Sequence, residues 1–289
     1  MTFRKLIFYI VIIFFINTIN SCELINPEEQ IPSYIYIEKI DLNITSSDQG
    51  SGSHKITDAW VYVDDQLIGA FELPAKFPVL WSGAHTITVK PGIKVNGISS
   101  SRAIYPFYST YIINTTLVED SVVKICPVVT YTSSVVFKWS ESFEDGGVSL
   151  VKTIFSDTII EKTSDASKVF EGNYSGVVHL NNDKKLFECK TIDSYFLPKG
   201  DVPTFLELNY KSNESIFVGI IANNSSQSES RGVLYINKSD VWNKIYINLK
   251  TAVNEFPNST EYQIFFHVEN TAETVNSEIL LDNIKLVHR

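Results

Sequence analysis

The chain has 289 residues, with 24 basic and 33 acidic side chains and a formal net charge of −9. That balance excludes a nucleic-acid partner, because proteins that track a phosphate backbone carry a basic footprint. The five His and three Cys are scattered, and no Cys/His cluster has zinc spacing.

The first thirty residues carry a targeting signal. Arg4 and Lys5 form a short basic stretch, Leu6 to Ile16 is an unbroken apolar run, and Asn17 to Ser21 is small and polar. This is the order of a secretory signal peptide, and the run is short of the ~20 apolar residues a membrane span needs. Asn20-Ser21-Cys22 follows, with Ile19 three residues before the cysteine. The segment resembles the relaxed lipobox of Bacteroidota-type lipoproteins. That resemblance implies cleavage after residue 21, acylation of Cys22, and a lipid bilayer as partner. The expected location is the outer membrane, on its periplasmic or cell-surface side. Several acyl chains matter there, since one alone gives only marginal membrane binding. Residues 22–33 read as an acidic tether, because Pro27, Pro32 and three glutamates disfavour packing. Removal of residues 1–21 leaves 22 basic against 33 acidic residues, a net of −11, which argues against docking on anionic lipid.

Beyond the tether, helical periodicity is nearly absent and Val/Ile/Thr/aromatic runs recur, so the chain is expected to be all-β. The 268 residues after position 21 fit two domains at roughly 100–200 residues each. The first is expected over 34–137. Tyr34 to Ile40 reads as a strand, Asp58 to Gly69 as two strands with a polar turn, and Leu80 to Val89 as a turn and strand. The order Val61-x-Val63-Asp64, then Gly83-x-His85-x-Ile87-x-Val89, resembles immunoglobulin-like modules of the PEGA type. It implies a β-sandwich and no chemistry. Asn96 to Tyr108 reads as a crossing loop that ends in Tyr-Pro-Phe-Tyr.

The second domain is expected over 138–289. Legible strands include Gly176–Leu180, Thr204–Tyr210, Ser215–Ile221, Val241–Leu249, Tyr262–Val268 and Ile279–Leu286. Their spacing and alternation fit a sandwich of about 150 residues. The opening Ser142-Phe143-Glu144-Asp145-Gly146, Gly172-Asn173-Tyr174-Ser175-Gly176, Trp242 to Leu249 and the closing Leu281-Asp282-Asn283-Ile284 resemble the jelly-roll domains that include many carbohydrate-binding modules. Related jelly rolls hold a structural calcium ion between the opening turn and the last strand. The resemblance therefore implies a calcium ion at Glu144 and Asp282; no other cofactor is required. Trp242 is expected as a core plug, with Trp60, Trp81 and Trp139 also structural.

Catalysis is not expected. A sandwich glycosidase needs two carboxylates across a cleft, and the Glu-x-Asp-x-x-Glu, Gly-x-Ser-x-Gly and His-Glu-x-x-His patterns are all missing. Cys126 and Cys189 are expected as two separate buried thiols. Side chains alternate between the faces of a strand. In Thr204–Tyr210 that leaves Phe205, Glu207 and Asn209 opposite the apolar set; in Lys244–Leu249 it leaves Tyr246 and Asn248; in Tyr262–Val268 it leaves Gln263, Phe265 and His267. If these strands share a sheet, the outward set mixes aromatic, amide, carboxylate and imidazole groups, as a sugar requires. The sequence thus predicts a non-catalytic lipoprotein that presents a jelly roll to a glycan. A structural role in which it docks another envelope protein is the alternative.

Overall fold

The computed structural model describes residues 29–223, 228–270 and 276–289. Cys22, the expected signal peptide and most of the tether lie outside the described residues. The described chain is all-β apart from two short helical turns, and no helix in it is long and apolar enough to cross a membrane.

Two apolar cores organise it. The first gathers Ile35, Ile37, Val61, Val63, Ile87 and Val89. Around it, β1 (Ser33–Ile37) pairs antiparallel with β5 (Ala75–Val79) and parallel with β9 (Val122–Ile125). A two-residue pairing of β2 (Asp41–Leu42) with β10 (Val128–Val129) extends that side. Opposite, β3 (Asp58–Val63) lies between β4 (Gln66–Glu72) and β6 (Gly83–Lys94). β6 also pairs with β7 (Arg102–Ile104) and β8 (Tyr111–Leu117). Asp64 and Asp65 close the β3–β4 hairpin, both with positive φ (47° and 66°), as the right-handed strand twist demands of a two-residue turn. The Asp64 carboxylate accepts the Thr86 amide at 2.9 Å and faces His85 Nδ1 at 2.6 Å. The two motif residues therefore meet as a turn brace.

The second core fills a sandwich of two six-stranded sheets. One sheet contains β11 (Val136–Glu141), β13 (Glu161–Thr163), β14 (Ser175–Asn181), β17 (Thr204–Ser212), β20 (Ser239–Asn248) and β22 (Asn276–His288). The other contains β12 (Leu150–Lys152), β15 (Leu186–Thr191), β16 (Tyr195–Phe196), β18 (Ile216–Asn223), β19 (Ser228–Ile236) and β21 (Glu261–Glu269). The expected inward sets hold: Leu206, Leu208, Ile245, Ile247, Ile264 and Phe266 all lie in the core. The opening and glycine-rich motifs meet as well. A Cβ on Gly176 would stand 2.5 Å from the Phe143 ring, so the glycine leaves that ring its place.

The two modules pack directly on each other. Phe205, Tyr246 and Val287, on the outer face of the β17–β20–β22 sheet, join the core of the first module. They meet Tyr105, Phe107, Tyr108 and Tyr131, with Tyr105 centred 5.3 Å from Phe205 and 4.8 Å from Tyr246. The Tyr-Pro-Phe-Tyr end of the expected crossing loop is thus the segment that docks on the second module. The exposed edge of β20 is covered too: Asn96 N–H donates to Tyr246 O (2.8 Å), and Asn96 Oδ1 accepts from the Asn248 amide (2.8 Å). Covering an edge in this way removes a template for unwanted strand pairing.

Candidate functional site

The seven residues expected to share one ligand face are divided between two sheets. Glu207 and Asn209 lie on β17, and Tyr246 and Asn248 on β20, in the sheet that the first module covers. Gln263, Phe265 and His267 lie on β21 in the opposite sheet. The expectation that these strands form one surface is corrected: a sandwich places them back to back.

The first group is closed to ligand. Glu207 has no exposed surface, Tyr246 and Asn209 retain 2 % each, and Asn248 is half-buried. The Glu207 carboxylate accepts hydrogen bonds from Tyr105 Oη (2.7 Å) and Tyr131 Oη (3.0 Å). Lys244 Nζ stands 3.3 Å from its other oxygen, an ion-pair distance without hydrogen-bond geometry. Burial lowers the Lys244 and Lys285 amines, the latter to about 8, while Glu207 pulls both back up. Burial raises the phenols of Tyr105 and Tyr131 well above the usual range, and Glu207 adds to the rise. These groups form one desolvated network that joins the modules.

In the second group Gln263 (6 % exposed) and Phe265 (7 %) are also buried, and only His267 is partly exposed, but the sheet face around them carries further residues the sequence did not suggest. On the outer face of the second sheet, register aligns Glu188 with His267, His267 with Phe217, and Phe217 with Tyr235. The neighbouring row aligns Lys190 with Phe265, Phe265 with Gly219, and Gly219 with Gly232. Two glycines leave these rings their space. A Cβ on Gly219 would sit 2.3 Å from the Phe265 ring, and one on Gly232 would sit 2.0 Å from the Phe217 ring. Phe217 stacks on Tyr235 with centroids 4.5 Å apart and planes 28° apart, and meets Phe265 edge-on at 5.9 Å. Tyr235 is 66 % exposed. The result is a stacked Phe217–Tyr235 pair at the surface of this sheet face, with Phe265 buried edge-on beneath it.

Polar groups border it. His267 Nδ1 is 2.9 Å from Glu188 Oε2 and its Nε2 is 3.2 Å from Glu269 Oε1, which fixes the ring between two carboxylates. Thr153 Oγ1 donates to Glu188 Oε1 at 2.7 Å. Lys190 Nζ donates to Gln263 Oε1 at 3.1 Å, while Gln263 Nε2 donates to Thr191 O at 2.7 Å. Each side chain is held by another, so these polar groups stand in set positions beside the rings.

Sequence reasoning found Gln263, Phe265 and His267 but missed Phe217, Tyr235, Glu188 and both glycines. Phe217 stood in a strand already legible, where alternation alone turns it outward. Gly219 inside that strand signalled close approach by another group.

The expected calcium pair does not fit a cation. Glu144 accepts the amides of Asn173 (2.8 Å) and Tyr174 (2.9 Å) and the Asn173 side chain (3.2 Å). Asp282 accepts Ser175 Oγ (2.6 Å) and the Asn283 amide (2.7 Å). Calcium requires oxygen ligands, whereas N–H and O–H donors surround both carboxylates here. Among the described residues no group of three or more His, Cys, Asp or Glu is placed to hold a metal. The two carboxylates instead brace the 171–175 turn from either side. Burial raises Asp282 to about 6. Two further expectations are corrected. Trp242 is outside the core, half-buried against Phe170 at 5.2 Å. Cys126 is exposed, and only Cys189 is buried.

No protein-family model matches the chain, and no curated protein matches it. Solved structures do resemble it. One is described as a carbohydrate-binding module of the β-sandwich superfamily, with 14 % identity over 90 % of this chain and 99 % of that one, at a TM-score of 0.42. A tandem pair of family 22 carbohydrate-binding modules from Paenibacillus barcinonensis shares 11 % identity over 81 % of this chain and 74 % of that one, at 0.40. A family 11 module from Clostridium thermocellum, in complex with a β-1,3-1,4-mixed-linked tetrasaccharide, shares 16 % identity over 52 % and 95 %, at 0.35.

Proposed function

We propose that the chain is a membrane-anchored, non-catalytic glycan-binding protein whose ligand lies on the outer face of the β15–β21–β18–β19 sheet. The observation that carries this reading is the stacked pair Phe217–Tyr235, 4.5 Å apart, with Tyr235 66 % exposed on that face. A sugar ring has an apolar face that stacks on an aromatic plane, and hydroxyls that need fixed polar partners. Phe217 and Tyr235 supply the first, backed by the buried Phe265; Glu188, Lys190 and His267 supply the second. Glu188 and His267 hold each other, which suits recognition. The anchor is the acylated Cys22, and the outer membrane is the proposed location.

Affinity electrophoresis of the full chain against a polysaccharide panel tests the face. Retardation by at least one polysaccharide is expected, and Tyr235→Ala and Phe217→Ala should each weaken it about tenfold, the scale of one interface hot spot. Retardation that survives both substitutions refutes the assignment. Cys22→Ser should abolish processing and release the protein from membranes; unchanged mass and fractionation would refute the anchor.

A further inference from the structure

A second cavity lies at the seam between the modules. It has a volume of about 230 Å³ and is lined from the first module by Lys55 and Lys94 and from the second by Lys238 and Lys244. No Asp or Glu lines it. Four lysines contribute to this lining in a chain whose formal net charge is −9, although the Lys244 amine itself is buried against Glu207.

Three of the amines are tethered from outside the lining. Lys94 pairs with Glu72 at 2.9 Å, Lys238 with Glu214 at 2.8 Å, and Lys244 with Glu207 at 3.3 Å. Lys55 differs. It donates to the Asn243 side chain and makes no ion pair among the described residues. Partial burial lowers its amine, and the neighbouring Lys94 charge lowers it further. Among the described residues Lys55 is thus the one lysine of the lining without a carboxylate partner, it sits beside the Lys94 charge, and a bound anion would relieve that repulsion. The lining also offers amide groups. Asn96 uses its side-chain oxygen on the Asn248 amide, which leaves its NH2 as a donor.

The cavity adjoins the aromatic surface. Tyr235 belongs to its lining and also stacks on Phe217. A glycan running over Phe217 and Tyr235 therefore meets the lysines at its next substituent. We infer that this cavity receives an anionic substituent, the carboxylate of a uronic acid or a sulfate ester, of the glycan held on the aromatic face. The inference rests on the glycan reading above and adds the class of glycan. It also gives the first module a part in recognition, since Lys55 and Lys94 come from it.

The test compares polymers that share a backbone and differ in charge. The full chain is titrated with polygalacturonate and fully methyl-esterified pectin, and with carrageenan and agarose, in 0.05 and 0.5 M salt, over which the screening length shortens from roughly 14 Å to roughly 4 Å. The expected result is at least tenfold tighter binding of one charged polymer than of its neutral partner, with the preference weakened by salt. Which charged polymer wins distinguishes carboxylate from sulfate. Lys55→Gln should reduce the preference about tenfold, as expected for one charge-assisted hydrogen bond, and Lys55→Gln with Lys238→Gln should abolish it. An unchanged melting temperature shows that both variants fold. Equal affinity for charged and neutral polymers, no binding of either charged polymer, or a preference that survives the double substitution overturns the inference. Binding of neutral polymers that depends on Phe217 would in those cases leave the aromatic face standing. A lysine-dependent preference that Phe217→Ala does not weaken would keep the cavity and refute the face.

Discussion

Glu207→Ala is the substitution that best separates a ligand-facing role for the β17–β20 surface from a structural one. Glu207 is fully buried and accepts from Tyr105 and Tyr131 while it faces Lys244. Removing the carboxylate strands two hydroxyls without an acceptor, at roughly 1–3 kcal/mol each. It also leaves the Lys244 amine, whose side chain is 3 % exposed, buried without its counter-charge; breaking such a pair costs about 3–5 kcal/mol. These terms share partners and do not add, so a total near 4 kcal/mol is expected. That is a large part of the ~5–15 kcal/mol that holds a typical domain together. Glu207→Gln keeps an acceptor and the shape, and should cost about half as much. Urea denaturation at pH 7, followed by tryptophan fluorescence, measures both. The loss should also depend on pH. Lys285 already titrates near 8 in the folded chain because of burial, against 10.5 for its unperturbed side chain, and Glu207 holds it up. Without Glu207 the folded lysines bind protons more weakly still. The unfolded chain then holds more protons than the folded one over a wider window, so the variant gains stability with pH more steeply than the parent. The deficit should shrink between pH 7 and pH 10. A Glu207→Ala chain within 1 kcal/mol of the parent at pH 7, or a deficit that grows with pH, would refute the buried network.

Gly232→Ala places a methyl 2.0 Å from the Phe217 ring; the ring must lift, and polysaccharide retardation should fall about tenfold while the melt shifts little. Gly219→Ala also meets Arg231 O at 2.4 Å, so it should lower the melting temperature more than Gly232→Ala; equal melts would contradict the geometry. Chelator should leave the melting temperature unchanged, because N–H and O–H donors occupy Glu144 and Asp282; a drop of several degrees that calcium restores would overturn this. Burial raises Asp282 from 3.8 to about 6, so between those values the folded chain holds a proton that the unfolded chain has released. This group's stabilisation is therefore present below pH 4 and lost as pH rises to 6, and Asp282→Asn should flatten that part of the stability profile.

Alternation along single strands was legible in the sequence, because it is a local property. Leu206, Leu208 and Ile247 point inward as period two requires. What covers the other side of a strand is a tertiary property, and period two is silent on it. The first seven residues of β17, Thr204 to Tyr210, are all buried, since one face meets the sandwich core and the other meets Tyr105 and Tyr131. Aromatic density in the Tyr105-Pro106-Phe107-Tyr108 segment was the available sign, and a loop that rich in rings needs a surface to pack on. β19 escaped notice because Ser228 to Gly232 is polar and carries no alternation, so Tyr235 had no strand to be placed on. The division of β17 and β21 between two sheets was equally hidden, because sheet membership depends on connections rather than on composition.

The seam explains why one face of the second module remains for a ligand. A sandwich of two sheets has two outer faces. Here the first module takes one of them, with Phe205, Tyr246, Glu207, Lys244 and Lys285 desolvated against it. A surface of that kind cannot also open to a glycan, because separation would leave buried charges and rings without partners. The connection between modules is equally confining. Tyr131 bridges to Tyr108, Thr132 N–H donates to Phe107 O at 2.9 Å, and Val135 N–H donates to Thr132 O at 3.2 Å immediately before β11 begins at Val136. The short segment between the cores is therefore itself hydrogen-bonded, which is not how a free hinge is built. Packed and hydrogen-bonded residues thus run without a break from β1 to the Phe217–Tyr235 face.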